Sequence, residues 1–199
     1  MLNKLIPAIL ITILLFSCSF IILYLATAET ENNEKNILLQ SIGKTIILNN
    51  DKVHIVSKQN DKFCHDDIQK VVCNKDINAT DTIFTIISVD GKNIIQNEDV
   101  VYLINHRNNL YCAADRDDVV KCNQKLAGQG EKFIISNGTK IDLDKEGYEV
   151  KQNIKNYDDI TLRTYGLARY CSTDIDYRDL KCNRDFPELY GKFYIYKQK

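Results

Sequence analysis

From residue 45 to the C-terminus, apolar and polar residues alternate in short runs that are separated by Asp, Asn, Gly and Lys. Alternation with a period of two is typical of β-strands that bury one face. Runs that recur roughly every 8–12 residues are typical of small all-β domains. The pattern therefore predicts an all-β domain over residues 45–199.

The strand pattern repeats three times. In every copy, a Cys stands nine positions after the last apolar residue of the first strand, and a Phe stands eleven positions after the second Cys. Only the hairpin between the two cysteines changes in length, which a loop tolerates and a strand does not. We interpret the domain as three repeats, at about 51–98, 99–157 and 158–199. The predicted strands are 53–55, 63–64, 72–74 and 84–86; 101–103, 111–112, 121–123 and 133–135; and 160–162, 170–171, 181–183 and 193–195.

A fourth strand is predicted after the Phe strand, at 93–95 in the first copy and at 140–143 in the second. The third copy ends before such a strand. We expect residues 45–48, just ahead of the first copy, to supply it and to close the ring. An insertion around 146–156 predicts an extra hairpin or an exposed loop, which is where we first expect a partner to bind.

The second copy carries a family resemblance. The run Leu-Tyr-Cys-Ala-Ala-Asp at 110–115, followed by Val-Val-Lys-Cys at 119–122 and Glu-Lys-Phe-Ile-Ile at 131–135, resembles the repeat unit of fascin-like β-trefoils. The resemblance implies a β-trefoil fold. It implies little about function, because this fold hosts many unrelated activities. Fascins bundle actin in the cytosol, which an exported domain with paired cysteines is not expected to do.

Six cysteines occupy matching positions in the three copies, and the first of each pair stands where the family usually has a core Leu. Strand alternation places both cysteines of a hairpin on one face. A cross-strand pair can then approach the roughly 5.5–6 Å Cα separation of a disulfide. The alternative is six reduced cysteines that pack as small hydrophobic side chains. We predict the disulfides Cys64–Cys73, Cys112–Cys122 and Cys171–Cys182.

An uncharged segment from Leu5 to Ala28 precedes the domain and is long enough to cross a bilayer as a helix. Lys4 stands before it and acidic residues follow it, so the N-terminus is expected in the cytoplasm and the domain on the extracellular or lumenal side. We predict a signal-anchor transmembrane helix over 1–28 and a stalk over 29–44. The alternatives are a signal peptide cleaved after Ala28 and a lipoprotein lipidated at Cys18. All three would export the domain.

The charges nearly balance, with 26 basic and 27 acidic residues and a net charge of -1. This balance argues against a nucleic-acid partner, which would normally require a basic face. An even number of regularly spaced cysteines favours an oxidising compartment. The many Ile, Lys, Asn and Asp residues indicate an AT-rich genome.

Residues that could carry chemistry do not form a pattern. The histidines His54, His65 and His106 fall at different places in the repeat, and His54 is expected on a strand surface. Cysteine gaps of nine to eleven residues do not match zinc sites. Acidic turns at 66–67 and 115–118 are interpreted as solvated turns, with calcium binding as the alternative. We therefore predict no catalytic, cofactor-binding or metal-binding residues, and no enzymatic activity.

Glycosylation is predicted at Asn78 and Asn137, because Asn-Ala-Thr and Asn-Gly-Thr sequons begin there, in or beside predicted loops. Sugar binding is the weaker hypothesis. The chain has no Trp and lacks the Gln-x-Trp signature of ricin-type lectins, and most of its tyrosines are expected at core positions.

These features predict a non-enzymatic, membrane-anchored binding module that makes protein–protein contacts outside a membrane. The partner would be a protein of a membrane complex or a host receptor. The layout is similar to that of envelope proteins of large DNA viruses that act in infectivity. The alternatives are a secreted β-trefoil ligand, decoy or inhibitor, and a lectin-like module that binds a glycan.

Overall fold

A computed structural model of the chain describes residues 46–76, 79–138, 142–143, 149–173 and 178–198. These residues belong to a compact unit that begins at Thr45. The predicted transmembrane helix, the stalk and Cys18 lie outside the described ranges. Within those ranges, no helix has both the length and the apolar character that crossing a bilayer requires.

The described chain is built from β-strands and two short 3₁₀ turns, Thr80–Thr82 and Leu189–Gly191. The strands are β1 Lys52–Ser57, β2 Lys62–Asp66, β3 Val71–Lys75, β4 Ile83–Ser88, β5 Asp99–Asn105, β6 Leu110–Ala114, β7 Val120–Gln124, β8 Lys132–Ser136, β9 Asp142–Leu143, β10 Glu149–Val150, β11 Asp159–Thr164, β12 Tyr170–Thr173, β13 Leu180–Arg184 and β14 Phe193–Lys197. Every strand segment predicted at a cysteine or a Phe lies inside one of them.

Six of these strands (β1, β4, β5, β8, β11 and β14) pair in an antiparallel ring and form a closed barrel. Alternation along each strand turns one apolar set inward. Inward residues therefore face each other across neighbouring strands, as in the pairs Ile55–Ile195, Ile86–Leu103 and Leu162–Ile135. All of these side chains are buried, together with Phe84, Phe133 and Phe193, which occupy the same position in the three copies.

Three hairpins, β2–β3, β6–β7 and β12–β13, cover one end of the barrel. A six-stranded barrel capped by three equivalent hairpins has the architecture of a β-trefoil, so the all-β, trefoil-like part of the predicted fold is confirmed. We call the three copies lobes: the first lobe is 46–93, the second 94–152 and the third 153–198.

The other end of the barrel is closed by three short segments, 46–48, 94–96 and 153–155. Their central isoleucines bond in a cycle: Ile47 N–H donates to Ile154 O at 2.9 Å, Ile95 N–H to Ile47 O at 3.0 Å, and Ile154 N–H to Ile95 O at 2.9 Å. All three side chains are fully buried. We call this arrangement the isoleucine triad. The segment just ahead of the first copy thus completes the ring, as the sequence predicts for 45–48.

The predicted fourth strand of the second lobe, 140–143, forms a strand at 142–143 (β9), but this strand is not the equivalent of 94–96. The third member of the triad is 153–155, which lies inside the interval that the sequence assigns to the insertion. The inserted hairpin comes earlier and pairs β9 with β10. Residues 140–141 and 144–148 lie outside the described part of the chain. The error has a physical reason: Lys-Ile-Asp-Leu alternates more clearly than the three-residue segment that carries Ile154.

Backbone conformation repeats with the same symmetry. Apart from glycines, the described residues with positive φ fall into three sets of three: Asn50, Glu98 and Tyr157; Asp61, Asn109 and Ala168; and Ile68, Asp118 and Arg178. Residues other than Gly, Asn and Asp rarely adopt this conformation. The fold therefore imposes the same turns on all three lobes, whatever the side chain.

Candidate functional site: the groove between the second and third lobes

The three disulfides lie at the centre of the hairpin cap. They join Cys64 to Cys73, Cys112 to Cys122 and Cys171 to Cys182, the same pairs that the sequence predicts. The paired Cα atoms are 3.6–3.7 Å apart, closer than expected, since the cysteines of the first two pairs stand directly opposite each other in the strand register. All six cysteines are buried in the core. They serve the scaffold and do not form a surface site.

Neighbouring lobes meet along three equivalent clefts. Each cleft lies between the hairpin of one lobe and the turn after the first barrel strand of the next lobe. The turn is fastened in the same way each time, because Lys58, His106 and Tyr165 donate their backbone N–H to Lys192, Ile83 and Lys132 respectively. Differences among the clefts therefore arise from side chains.

Polar side chains bridge the cleft between the first and second lobes. Asn108 Nδ2 donates to Asp66 Oδ2 at 2.7 Å and to the Cys122 carbonyl oxygen at 3.2 Å. Asp66 is buried, and burial raises the pKa of its carboxyl while the hydrogen bond from Asn108 opposes the rise. A partly buried hydrogen bond between polar side chains therefore bridges this cleft.

The cleft between the third and first lobes is bridged in a similar manner. Thr173 Oγ1 lies 3.2 Å from Ser57 Oγ and donates to Gln59 Oε1 at 2.9 Å. Asn60 Nδ2 donates to the Cys73 carbonyl oxygen at 3.1 Å, a bond within the first lobe that holds the turn. Asn60 and Asn108 occupy the same position in their lobes, three residues before the aromatic residue of the hairpin.

The remaining cleft, between the second and third lobes, is open. Leu167 takes the place of Asn60 and Asn108, and Ala114 takes the place of Asp66 and Thr173. Neither side chain can bridge the cleft with a hydrogen bond. The result is a groove of about 200 Å³, lined mainly by Ala114, Asp115, Asp118, Lys132, Tyr165 and Leu167. Tyr165 is 47% exposed and Leu167 is 75% exposed. We call this feature the lobe 2–3 groove.

Charged side chains frame the groove. Lys132 Nζ lies 5.5 Å from the centre of the Tyr165 ring, within the range of a cation–π contact. Partial burial would raise the pKa of Asp115, but hydrogen bonds from Lys121 and from the backbone N–H groups of Asp117 and Val119 outweigh it and lower the pKa. Asp118 makes no ion pair with any described residue.

The acidic turn at 115–118 is organised by these internal bonds. Asp115 accepts hydrogen bonds from Asp117 N and Val119 N at 2.9 and 3.1 Å, and Asp115 Oδ2 lies 2.5 Å from Lys121 Nζ. Its oxygens are therefore already engaged. Among the residues that the structure describes, no three His, Cys, Asp or Glu side chains form a group that could hold a metal ion.

The histidines lie around the Thr80–Thr82 turn of the first lobe, away from the groove. His54 is only 4% exposed, so the prediction that it lies on a strand surface is wrong. Thr82 covers it, with His54 Nδ1 at 3.1 Å from Thr82 O and 3.0 Å from Thr82 Oγ1. His65 is also buried and bonds to Asn74 through Nε2, while His106 is exposed on a turn.

The structure describes the asparagine of only one of the two sequons. Asn78 lies outside the described residues. Asn137 is half-buried just after β8, where its N–H donates to Asn97 Oδ1 at 3.0 Å and its Nδ2 donates to Asp158 Oδ2 at 3.4 Å. Glycosylation of either residue remains a prediction.

Tyrosines are not core residues in this fold, contrary to the sequence prediction. No tyrosine of the described chain is among the buried residues. Three of them, Tyr157, Tyr194 and Tyr196, gather on the outside of the barrel in the third lobe, with 4.7 Å between the rings of Tyr157 and Tyr196 and 6.1 Å between those of Tyr194 and Tyr196. We call this cluster the tyrosine surface. Alternation along β14 explains it, since Phe193 and Ile195 point inward.

The sequence matches no protein-family model, and no curated protein matches it. Solved structures do resemble the fold. The SDF2-like protein from Arabidopsis thaliana superposes with a TM-score of 0.62 at 9% identity, over 75% of this chain and 94% of that one. A Caenorhabditis elegans protein of unknown function gives 0.64 at 9% identity, over 78% and 98%.

A third similar structure belongs to the Saccharomyces cerevisiae protein O-mannosyltransferase Pmt1-Pmt2 complex bound to the sugar donor. It gives a TM-score of 0.60 at 7% identity, over 77% of this chain and 25% of that one. At such low identities the likeness extends to the fold alone. It is in keeping with the β-trefoil architecture described above.

Proposed function

We propose that this protein is a non-enzymatic binding module, exported across a membrane, which holds a protein partner in the lobe 2–3 groove. One observation carries the proposal: of three clefts with the same backbone, two are bridged by hydrogen bonds between polar side chains and this one is not. A fold that needed only stability would gain from a polar bridge in all three clefts. Exposed apolar residues around a groove are typical of an interaction surface.

The chemistry of the groove defines the partner. Ala114 and Leu167 offer an apolar floor, and Tyr165 offers an aromatic wall, so one apolar side chain of the partner would be buried there. Asp118 has no described ion-pair partner and would attract a basic residue. The partner is therefore an exposed loop that carries an apolar residue next to a Lys or Arg.

Export is supported by the disulfides and by the uncharged segment 5–28. Disulfides persist in oxidising compartments and are rare in the cytosol of mesophiles. The proposal includes the single-pass anchor, with the domain on the extracellular or lumenal side. N-terminal sequencing of the detergent-extracted protein tests it: a chain that begins at Glu29 would overturn the anchor and favour the secreted ligand or decoy.

The viral envelope setting is the most specific part of the proposal, and it rests on layout and composition. Detection of the protein in purified virions, and loss of infectivity when it is deleted, would support this setting. A gene in the genome of a cellular organism would overturn it and leave the binding role untouched.

Cross-linking provides a direct test of the groove. Lys132 and Lys192 are equivalent residues in two different clefts, so each reports on its own cleft. We expect a lysine-reactive cross-linker, applied to the full chain in its native membranes, to join a partner to Lys132 and not to Lys192. Cross-links distributed equally over both lysines would contradict the proposal.

The variant Leu167→Asn sharpens the test. The new side chain would stand where Asn60 and Asn108 stand, and its Nδ2 would donate to the Cys182 carbonyl oxygen of its own lobe. A polar side chain would thus replace an apolar one in the floor of the groove. We expect affinity for the cross-linked partner to fall at least tenfold, or about 1.4 kcal/mol. Leu189→Ala changes another exposed leucine, which lies outside the groove; this variant is the control and should bind normally. Unchanged binding by Leu167→Asn would overturn the proposal.

A glycan is the second candidate ligand, and the tyrosine surface is the observation that favours it. The O-mannosyltransferase complex among the similar structures is bound to a sugar donor, which is in keeping with this candidate.

A further inference from the structure

The tyrosine surface breaks the threefold symmetry of the fold. Equivalent positions in the other two lobes carry Asn50 and Glu98 in place of Tyr157, Thr85 and Ile134 in place of Tyr194, and Ile87 and Ser136 in place of Tyr196. The same backbone is thus built without aromatic residues in two lobes. Three tyrosines at these positions are not required by the architecture.

Tyr157 is the clearest member of the cluster. Its φ is 71°, a conformation that a bulky side chain rarely adopts, while Asn50 holds the equivalent place at φ 68°. The Tyr157 ring is also 61% exposed. A strained and exposed aromatic residue, at a position that suits Asn, points to a role for the ring outside the fold.

The charges next to the rings are already paired. Lys58 Nζ lies 2.6 Å from Asp159 Oδ2 and 4.9 Å from the centre of the Tyr194 ring. Lys197 Nζ lies 2.8 Å from Asp51 Oδ2. A charged ligand would have to compete with these contacts. An uncharged ligand can hydrogen-bond to the paired groups without separating them.

A polar groove of about 230 Å³ lies along β11, the strand that pairs with β14. Asp159 lies opposite Tyr194 in the strand register and lines this groove together with Thr161, Asn137 and Lys192. Flat aromatic faces beside fixed hydrogen-bonding groups are complementary to a pyranose, which has an apolar C–H face and hydroxyl groups at its rim.

We propose that the tyrosine surface binds an uncharged hexopyranose residue of a glycan. The C–H face of the sugar packs on Tyr157 and Tyr194. The hydroxyl groups bond to the Lys58–Asp159 pair and to Thr161. This inference deepens the second candidate of the proposed function and is independent of the lobe 2–3 groove, with which the polar groove shares no lining residue.

The test uses the full-length protein in detergent and a set of neutral, sialylated and sulfated glycans. We expect saturable binding to a neutral glycan. The methyl glycoside of its terminal sugar, titrated by ligand-observed NMR, should bind in the millimolar range. No saturable binding to any neutral glycan, or a preference for the charged glycans, would overturn the inference.

Three variants assign the binding to this surface. Tyr157→Asn copies Asn50 and should weaken glycan binding at least tenfold, with a melting temperature within about 4 °C of the wild type. Tyr157→Phe keeps the ring and should bind within threefold of the wild type. Tyr165→Ala, in the lobe 2–3 groove, should leave glycan binding unchanged. Equal binding by Tyr157→Asn and the wild type, or loss with Tyr165→Ala alone, would place the site elsewhere and overturn the inference.

The protein-partner assay separates the two proposals. Tyr157→Asn should leave the partner's cross-link to Lys132 intact, and Leu167→Asn should leave glycan binding intact. If the experiment overturns the proposal for one site, the proposal for the other site is therefore unaffected.

Discussion

Asn108 donates a hydrogen bond from Nδ2 to Oδ2 of Asp66 at 2.7 Å, across the boundary between the first and second lobes. The other carboxylate oxygen of Asp66 is buried without a partner among the described residues. One amide group thus carries much of the stabilisation of a buried carboxylate. We expect this contact to be sensitive to mutation.

Removing the donor should destabilise the fold. Asn108→Ala leaves Asp66 buried with its main side-chain donor missing, which costs about 1–3 kcal/mol. We expect the urea midpoint at pH 7 to fall accordingly. Asn123→Ala removes an exposed Asn of the same lobe and should change the free energy of unfolding by less than about 0.5 kcal/mol. Similar losses in the two variants would mean that the bridge contributes nothing particular.

Removing the charge should stabilise the fold at neutral pH. Burial raises the pKa of the Asp66 carboxyl above its ordinary value of 3.8. A raised folded-state pKa gives a contribution to stability that is complete below pH 3.8 and is lost as the pH rises through the folded-state pKa. Asp66→Asn keeps an acceptor for Asn108 and removes this loss. We expect a gain in the free energy of unfolding by urea at pH 7 and none at pH 3; a gain of the same size at both pH values would refute the explanation.

Acidification should act through His54. Burial lowers the pKa of His54 below its ordinary value of 6.5, and the bond to the Thr82 carbonyl opposes the effect only in part. The unfolded chain therefore binds the proton first, and stability is lost as the pH falls from about 6.5 toward the folded-state pKa. We expect the free energy of unfolding to decrease between pH 7 and pH 5. His54→Asn should flatten the slope, whereas His106→Asn, at an exposed site, should keep it.

The disulfides should be inaccessible in the native protein. Each of the six cysteines is at most 3% exposed to solvent. We expect no thiol labelling after mild reduction of the folded domain, and complete labelling once urea is added. Each hairpin encloses only 9 to 11 residues, so replacing one pair, for instance Cys112 and Cys122, by alanines should cost about 2–3 kcal/mol. Labelling of the folded protein at the rate of the unfolded one would contradict this picture.

The isoleucine triad should behave as core. Ile95→Ala removes a fully buried side chain and should cost about 2–5 kcal/mol in thermal or urea unfolding. Its neighbour Ile94 is half-buried, so Ile94→Ala is a control that matches chemistry and location and should cost about half as much or less. Equal effects at the two positions would show that burial in the triad is not what matters.

The barrel strands and the cysteine pairs were predictable because they depend on local alternation and on constant spacing. The position of Ile154 in the triad was not, since a three-residue segment carries almost no periodic signal and the inserted hairpin competes with it. His54 was misplaced for a different reason. His54 is on the outer face of β1, and the Thr80–Thr82 turn covers it there. The alternation of a strand shows which residues point outward, but it does not show whether another segment covers them.

The sites differ in how visible they were. The tyrosine surface follows from alternation along β14, so the outward direction of Tyr194 and Tyr196 could have been read from Phe193 and Ile195. The lobe 2–3 groove left a signal too, because aligning the repeats places Leu167 against Asn60 and Asn108. What the alignment could not supply is that Asn108 bridges its cleft, which depends on the Asp66 carboxylate of the neighbouring lobe.

The isoleucine triad also determines how the domain responds to mechanical load. At the N-terminal side of the domain, two backbone hydrogen bonds hold Ile47 in place: its N–H donates to Ile154, and its carbonyl oxygen accepts from Ile95. The other terminus is fastened at the same end of the barrel, where Gln198 N–H donates to Lys52 O at 2.8 Å. A force applied to the chain ahead of the domain would therefore break the hydrogen bonds of the triad first. The barrel strands would be loaded next, and the hairpin cap at the far end last.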